Sequence, residues 1–458
     1  MAVRLIGESP VRVAAAFGAG RSPDHDGIRL WKARARPTCG FDRTTDPGHT
    51  ASKERFYWRL ALRDGVPDEE RDAAGATTAR LIYPFAAPPA PGAAVEVADR
   101  VLWLRLPLPM ALDHINVWAL RDGDGWTIVD TGVETPQGTG AWEAAFAGPL
   151  EGRPVVRVIC THMHPDHVGL AGWLTERFGC RLWMTRLEYV TCRMLLVDTG
   201  PAPQSAARFY REAGWTEAQI ERWRSRYGLF ARGVSRFPDS YRRIEAGETI
   251  GVGADVWRVV GGDGHSPEHA CLLRESDGLL ISGDQVLPRI SSNVSVWPTE
   301  PDADPLGDWL ESLARLKAAL PDDALVLPSH GEPFRGLHLR LDALARGHRR
   351  ALDRLERLLG EPRRAVDVFG ALFARTVDDG LLGMATGEAL AHLNRLEREG
   401  RAEKTVGPDG VVWWRATAAT GLRDKSRRDA PQPDDHMSRR PEEPRGAVSK
   451  AVKRARAG

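Results

Sequence analysis

At 458 residues, with 42% apolar and 27% charged residues and a net charge of +1, the chain has the composition of a soluble protein long enough for two domains. The near-zero charge excludes a general electrostatic pull towards nucleic acid or anionic membrane, though not a local patch. Five scattered cysteines (Cys39, Cys160, Cys180, Cys192 and Cys271) form no CxxC pair, which argues against a disulfide framework or structural zinc knuckle and for a reducing compartment.

Residues 1–80 mix Gly, Pro and charge without period, as in RSPDHDG and TTDPGHT, and read as a disordered or loosely held extension. The start lacks the apolar region of a signal peptide, and no run approaches the roughly 18 apolar residues of a membrane span, so a cytoplasmic protein without membrane contact is expected. After the Pro-rich stretch AAPPAPG (residues 86–92), VEVADRVLWLRLPLP alternates apolar and polar residues and predicts one or two strands. HINVWAL and WTIVDTG, joined by RDGDG, predict a hairpin that ends at Asp130. Thr135 to Phe146 predicts a helix.

The β-branched run VVRVI then leads into a polar loop carrying His162, His164, Asp166 and His167. Period-2 alternation points His162 and His164 the same way, and the turn returns Asp166 and His167 towards them. Three imidazoles and a carboxylate within six residues predict a metal-binding loop. A helix to Phe178 and the strand RLWMT follow. Residues 186–240 read as a helical insert, with Phe209, Trp215, Ile220, Trp223 and Tyr227 at helical spacing. Further strands end near His265 (GDGHSPEH), at Asp284 (ISGDQV) and at His330 (LPSHGEPF), each in a Gly- or Ser-rich turn. Between the last two, Asp304 to Leu320 predicts a helix from Leu306, Leu310, Leu313, Leu316 and Leu320.

Residues 337–420 read as a second domain: a long helix over Leu337 to Leu359, a helix over Val366 to Phe373, a helix over Thr386 to Glu399 with Thr386 as N-cap, and a hairpin turning at PDG. Residues 421–458 carry 11 Lys or Arg against 6 Asp or Glu and too few apolar residues for a core, so a disordered basic tail is expected.

The HxHxDH loop after a hydrophobic strand, followed in order by His265, Asp284 and His330, resembles the metallo-β-lactamase-fold hydrolase superfamily, of the glyoxalase II-like or β-lactamase-like type. The resemblance covers about Val95 to Gly336. It implies an α+β fold in which residues 81–336 form a four-layer αβ/βα sandwich, and residues 337–420 resemble the small winged-helix-like domain that follows some relatives. By the same resemblance, His162, His164 and His265 hold one divalent metal ion, Asp166, His167 and His330 hold a second, and Asp284 bridges them. Zinc is the default for such nitrogen and oxygen donors, with iron and manganese as alternatives. Two ions about 3.5–4 Å apart can share a hydroxide that is nucleophilic near neutral pH. Asp166 is then the catalytic proton carrier. Asp130 buttresses the metal loop or simply caps the following segment, and His269 orients a ligand, donates a hydrogen bond or packs.

The family acts on many substrates. A small-molecule thioester of the acyl-CoA or glutathione type, or a related ester or lactone, is favoured here, with Trp215, Trp223 and Tyr227 for an apolar or adenine group and Arg232, Arg236 and Arg335 for an anionic carrier. The alternatives are an RNA or phosphodiester nuclease and a non-catalytic binding protein. In the C-terminal domain Arg395, Arg398 and Arg401 are offset by Glu388, Glu397 and Glu399, which favours structural or homodimer-forming packing over nucleic-acid binding.

Overall fold

The computed structural model describes residues 69–71, 77–110 and 112–417. Within the stretch expected to be disordered, Glu69–Arg71 pairs antiparallel with Thr77–Arg80, so their backbone groups satisfy one another. The rest of that stretch, and the tail over 421–458, lie outside the described residues.

Seven strands form one sheet in sequence order from Ala94–Ala98 to Tyr241–Arg243. Its first four strands are antiparallel and include the expected hairpin, His114–Asp122 with Gly125–Val129. Its last four are parallel to one another and contain the metal-loop strand Val155–Ile159. The five strands from Thr249–Val252 to Leu325–Pro328 form a second sheet, antiparallel except for its last pair, Leu279–Gly283 with Leu325–Pro328.

Period-2 alternation builds the layers. In Val101–Pro107, Val101 and Trp103 enter a core with Trp118, Trp257, Leu272, Ile281 and Leu327 from both sheets. The intervening Leu104 and Leu106 turn to the other face, against Trp142 and Phe146 of helix Pro136–Ala147 and Leu174 of helix Ala171–Phe178. On the far side, Cys271, Leu280 and Val326 of the second sheet share a core with helix Pro305–Ala319, helix Leu337–Leu358 and the C-terminal domain. Helices, sheet, sheet, helices: the four-layer expectation holds.

Two helices start on capping side chains, since Thr135 and Asp304 accept from the amides of Gly138 and Gly307. Thr386 does not. Its helix spans Leu382–Arg398, and Thr386 lies inside it, donating back to the Leu382 carbonyl at 2.7 Å while accepting the indole N–H of Trp215. The earlier start follows Asp378, whose carboxylate takes the amides of Gly380 and Leu381. The segment read as one helix over Val366 to Phe373 is instead a 3-10 turn, Ala365–Val368, running into a single turn Phe369–Leu372. The closing hairpin pairs Ala402–Val406 with Val412–Ala416.

Glu388 of helix Leu382–Arg398 is 1% exposed and accepts one bond, from Asn293 Nδ2 at 2.8 Å. Burial pushes its carboxyl up to about 8, and the Asn293 bond offsets this only in part. The folded protein therefore keeps a proton that the unfolded chain releases near 4.5. That contribution to stability is complete below the unfolded value and is lost as pH rises through about 8. Glu388→Gln removes the titration, so its thermal midpoint should gain on wild type between pH 5 and pH 8.5. A difference independent of pH would refute the assignment.

Candidate metal centre

The loops that follow Val155–Ile159, Asp255–Gly262, Leu279–Gly283 and Leu325–Pro328 bring their polar residues to one place. Two groups form there: His162, His164, His265 and Asp284, and beside them Asp166, His167 and His330, with the donor atoms of each group within 4.8 Å of one another. His162 Nε2 stands 2.8 Å from His164 Nδ1 and 3.2 Å from His265 Nε2. Asp284 spans the groups: Oδ2 is 3.4 Å from His265 Nε2, while Oδ1 is 3.5 Å from His167 Nε2 and 3.4 Å from His330 Nε2. Asp166 Oδ2 is 3.4 Å from His330 Nε2. All seven residues are buried.

The outward nitrogens fix which way the rings present their lone pairs. His265 Nδ1 donates to the Asn293 carbonyl at 2.7 Å, and His330 Nδ1 donates to the His114 carbonyl at 2.8 Å. His167 Nδ1 lies 2.8 Å from Asp130 Oδ2. Each arrangement turns Nε2 inward. Burial first, then the neighbouring histidines, hold His162 well below the usual histidine range, so its ring is neutral. At His167, burial opposes charge, but Asp130, Asp166 and Asp284 outweigh it and push the group up to about 10. The carboxylates therefore favour positive charge at this position. His167 Nε2 and Asp284 Oδ1 are buried without a hydrogen-bond partner, which costs about 1–3 kcal/mol for an ordinary polar group. Converging lone pairs, excess carboxylate and orphaned inward atoms fit divalent metal ions.

Several groups hold the cluster residues from behind. Asp130 adopts φ 62°, in the left-handed region that Asp tolerates, which aims its carboxylate at Thr161 N (2.8 Å), Thr161 Oγ1 and His167. It therefore touches both ends of the metal loop. His269 Nε2 accepts the Asp284 amide at 3.2 Å. Gly283, at φ 52°, makes that contact feasible, since a Cβ there would stand 2.5 Å from His269 Nε2. Sequence reasoning left His114 and Asn116 without a role. Besides the His114 carbonyl on His330, the Asn116 amide donates to the carbonyls of Pro328 and Gly331 and so pins the His330 turn. It missed Glu188 altogether. This fully buried carboxylate, on helix Arg186–Val197, accepts the amides of Met163 (2.9 Å) and Glu268 (2.7 Å), tying the His162–His164 loop to the His265–His269 loop.

A small recess opens over the cluster, walled by His164, Asp166, His265, Asp284 and His330 on one side and by Leu112, Leu287, Ile290 and Ser291 to Asn293 on the other. None of the six residues expected to contact substrate lines it. Trp215 is buried, stacks on Tyr210 at 4.2 Å and bonds Thr386. Trp223 packs between Tyr210 and Tyr227, and Tyr227 bonds Asp198. Arg232 lies in the 3-10 turn Leu229–Gly233, and the exposed Arg236 faces Asp239. Arg335 bonds the Asp323 carbonyl and bridges to Ile82. The aromatic periodicity of the insert is the signature of helices packed on the C-terminal domain.

Known proteins match this arrangement. Residues 110–330 match the model of the metallo-beta-lactamase superfamily, and residues 352–417 match that of the metallo-beta-lactamase-like C-terminal domain. The chain resembles the crystal structure of a beta-lactamase domain protein from Burkholderia ambifaria, with 44% identity and a TM-score of 0.68, over 74% of this chain and 98% of that one. A metallo-beta-lactamase family protein from Thermus thermophilus superposes with 27% identity and a TM-score of 0.60, over 70% and 100%. The atrochrysone carboxyl ACP thioesterase of Aspergillus fumigatus is 30% identical over 259 residues, which are 55% of this chain and 47% of that protein, so the chain spans about half of that relative's length. On the matched models and the shared architecture, this chain belongs to the metallo-beta-lactamase superfamily.

Proposed function

We propose that the protein is a metal-dependent hydrolase of acyl thioesters carried on a thiol of the coenzyme A, carrier-protein or glutathione type. The observation that carries the reading is the set of seven buried nitrogen and oxygen donors at the floor of one small recess, spanned by Asp284. His162, His164 and His265 would hold one divalent ion and Asp166, His167 and His330 the other, with zinc the ion best suited to the donors. Bound there, such ions would supply an activated water and polarisation of a carbonyl group. The chain does the rest. Asp166, on the recess wall, receives the proton of the attacking water and returns it to the leaving thiolate. Leu112, Leu287 and Ile290 give the acyl chain an apolar wall and limit water around the reacting carbon.

The thioesterase relative supports thioesters over other carbonyl substrates. Nucleic acid gains no support. Arg395 is paired with Asp304 and Glu399, and Arg401 with Asp353 and Glu356, so neither offers a free basic face. The test is hydrolysis by metal-analysed protein of acyl-CoA, acyl-glutathione, lactone and single-stranded RNA in parallel. Turnover of thioesters well above the other substrates is the expected result. RNA cleavage without thioester turnover would overturn it.

A further inference from the structure

The recess wall opposite the imidazole cluster continues as a buried chain of hydrogen bonds into the C-terminal domain. Ser291 lines the recess, and its Oγ is 3.0 Å from His348 Nε2. His348 Nδ1 is 3.3 Å from His392 Nε2, and His392 Nδ1 is 2.8 Å from the Glu388 carbonyl oxygen. The two rings lie on helices Leu337–Leu358 and Leu382–Arg398, both are 0% exposed, and they stack at 5.4 Å. Neither belongs to the metal cluster.

The direction of this chain follows from its inner end. A carbonyl oxygen only accepts, so His392 Nδ1 carries the hydrogen. Burial holds His392 down at about 4, and burial together with His392 holds His348 well below its usual range, so both rings are neutral. His392 Nε2 is then a lone pair that takes His348 Nδ1–H, which leaves a lone pair on His348 Nε2. The Ser291 hydroxyl must donate to it. The other acceptor within reach, the Ser292 carbonyl at 3.2 Å, also draws that hydrogen away from the recess and would leave His348 Nε2 unpaired. Ser291 therefore meets the recess with lone pairs alone.

We propose that Ser291 is a specificity-determining acceptor that takes a hydrogen bond from an O–H or N–H of the substrate's acyl group close to the reacting carbonyl, with His348 and His392 as positioning residues. The substrates favoured are thus hydroxyacyl or amidoacyl compounds over plain alkyl ones. This rests on the hydrolase reading above. Service as a nucleophile is the weaker use of the same serine. A proton passed to His348 would create a buried imidazolium whose polar contacts are a hydroxyl and another imidazole.

Two measurements on metal-loaded protein test this. Binding of 2-hydroxybutyrate, 3-hydroxybutyrate and butyrate by calorimetry, with turnover of the corresponding thioesters, should favour a hydroxy compound by roughly 10-fold. Ser291→Ala should bring the ratio near one by weakening the hydroxy member alone, at unchanged metal content, and Ser291→Thr should restore it. Nitrogen-15 NMR should find His348 and His392 both protonated at Nδ1 and bare at Nε2. A ratio that Ser291→Ala leaves unmoved, or a proton on His348 Nε2, overturns the proposal. Selective binding without turnover of any thioester would instead sink the thioesterase reading and leave the acceptor role standing.

Discussion

Asp284→Ala is expected to strip the centre of metal and to lower thioester turnover by on the order of 10³-fold or more. The carboxylate reaches both halves of the cluster, with one oxygen facing His265 and the other facing His167 and His330. No neighbouring side chain can replace it: Asp166 already faces His330 and His167. Burial opposes charge on Asp284, but His330 and His167 outweigh it and hold the group well below the usual carboxylate range, so it is an anion at working pH. Its removal deletes a charge that three imidazoles share. Asp284→Asn keeps the shape and loses the charge, and should retain less than half of the wild-type metal. Metal content by atomic spectroscopy and kcat on the same preparation check both. Full metal with full turnover in the alanine variant would end the binuclear reading.

How much of this was legible beforehand follows the distance over which each signal acts. His162, His164, Asp166 and His167 announce themselves because four donor groups crowd into six residues after a β-branched strand. His265, Asp284 and His330 are ordinary when taken singly, and only their order and turn contexts identify them. The sheets were legible from alternation, since a half-buried strand writes its two faces into the sequence. The Trp and Tyr residues of the insert do not line the recess, and their spacing alone could not say so, because a helix that packs on a neighbouring domain and a helix that covers a substrate share one apolar periodicity. Choosing between them requires knowing what lies opposite, and here it is Thr386 and the C-terminal core. Thr386 misled for a related reason: a hydroxyl that caps a helix and one that bonds back within it are the same residue.

The supports of the site were the least legible part. Glu188, Asn116, Ser291 and His348 lie far from the metal loop in sequence, and none sits in a motif. Only burial and facing partners distinguish them. They also give the C-terminal domain a line to the chemistry. Asn293 accepts from His265 through its carbonyl and donates to Glu388 through its side-chain amide, so the helix Leu382–Arg398 touches the group that orients His265.

Glu188→Ala is the second large effect expected, a 10- to 100-fold loss of metal affinity, the usual range when a group that orients ligands is removed. The two loops it joins carry His162 and His164 on one side and His265 on the other, and these three nitrogens must meet within about an imidazole's width. Without the carboxylate, the amides of Met163 and Glu268 lose their acceptor in the interior, at about 1–3 kcal/mol each. Water entering the gap would satisfy them only by parting the loops. Glu188→Gln separates the two contributions. Its single carbonyl oxygen can take one amide, while its NH₂ group faces the other donor, so metal affinity should fall between wild type and alanine. Competition with a chromogenic chelator measures all three. Wild-type affinity in the alanine variant would mean that the strands alone fix the loops. Graded loss would make this insert carboxylate, which holds the backbone of both loops, the clamp that keeps the three-histidine half of the centre assembled.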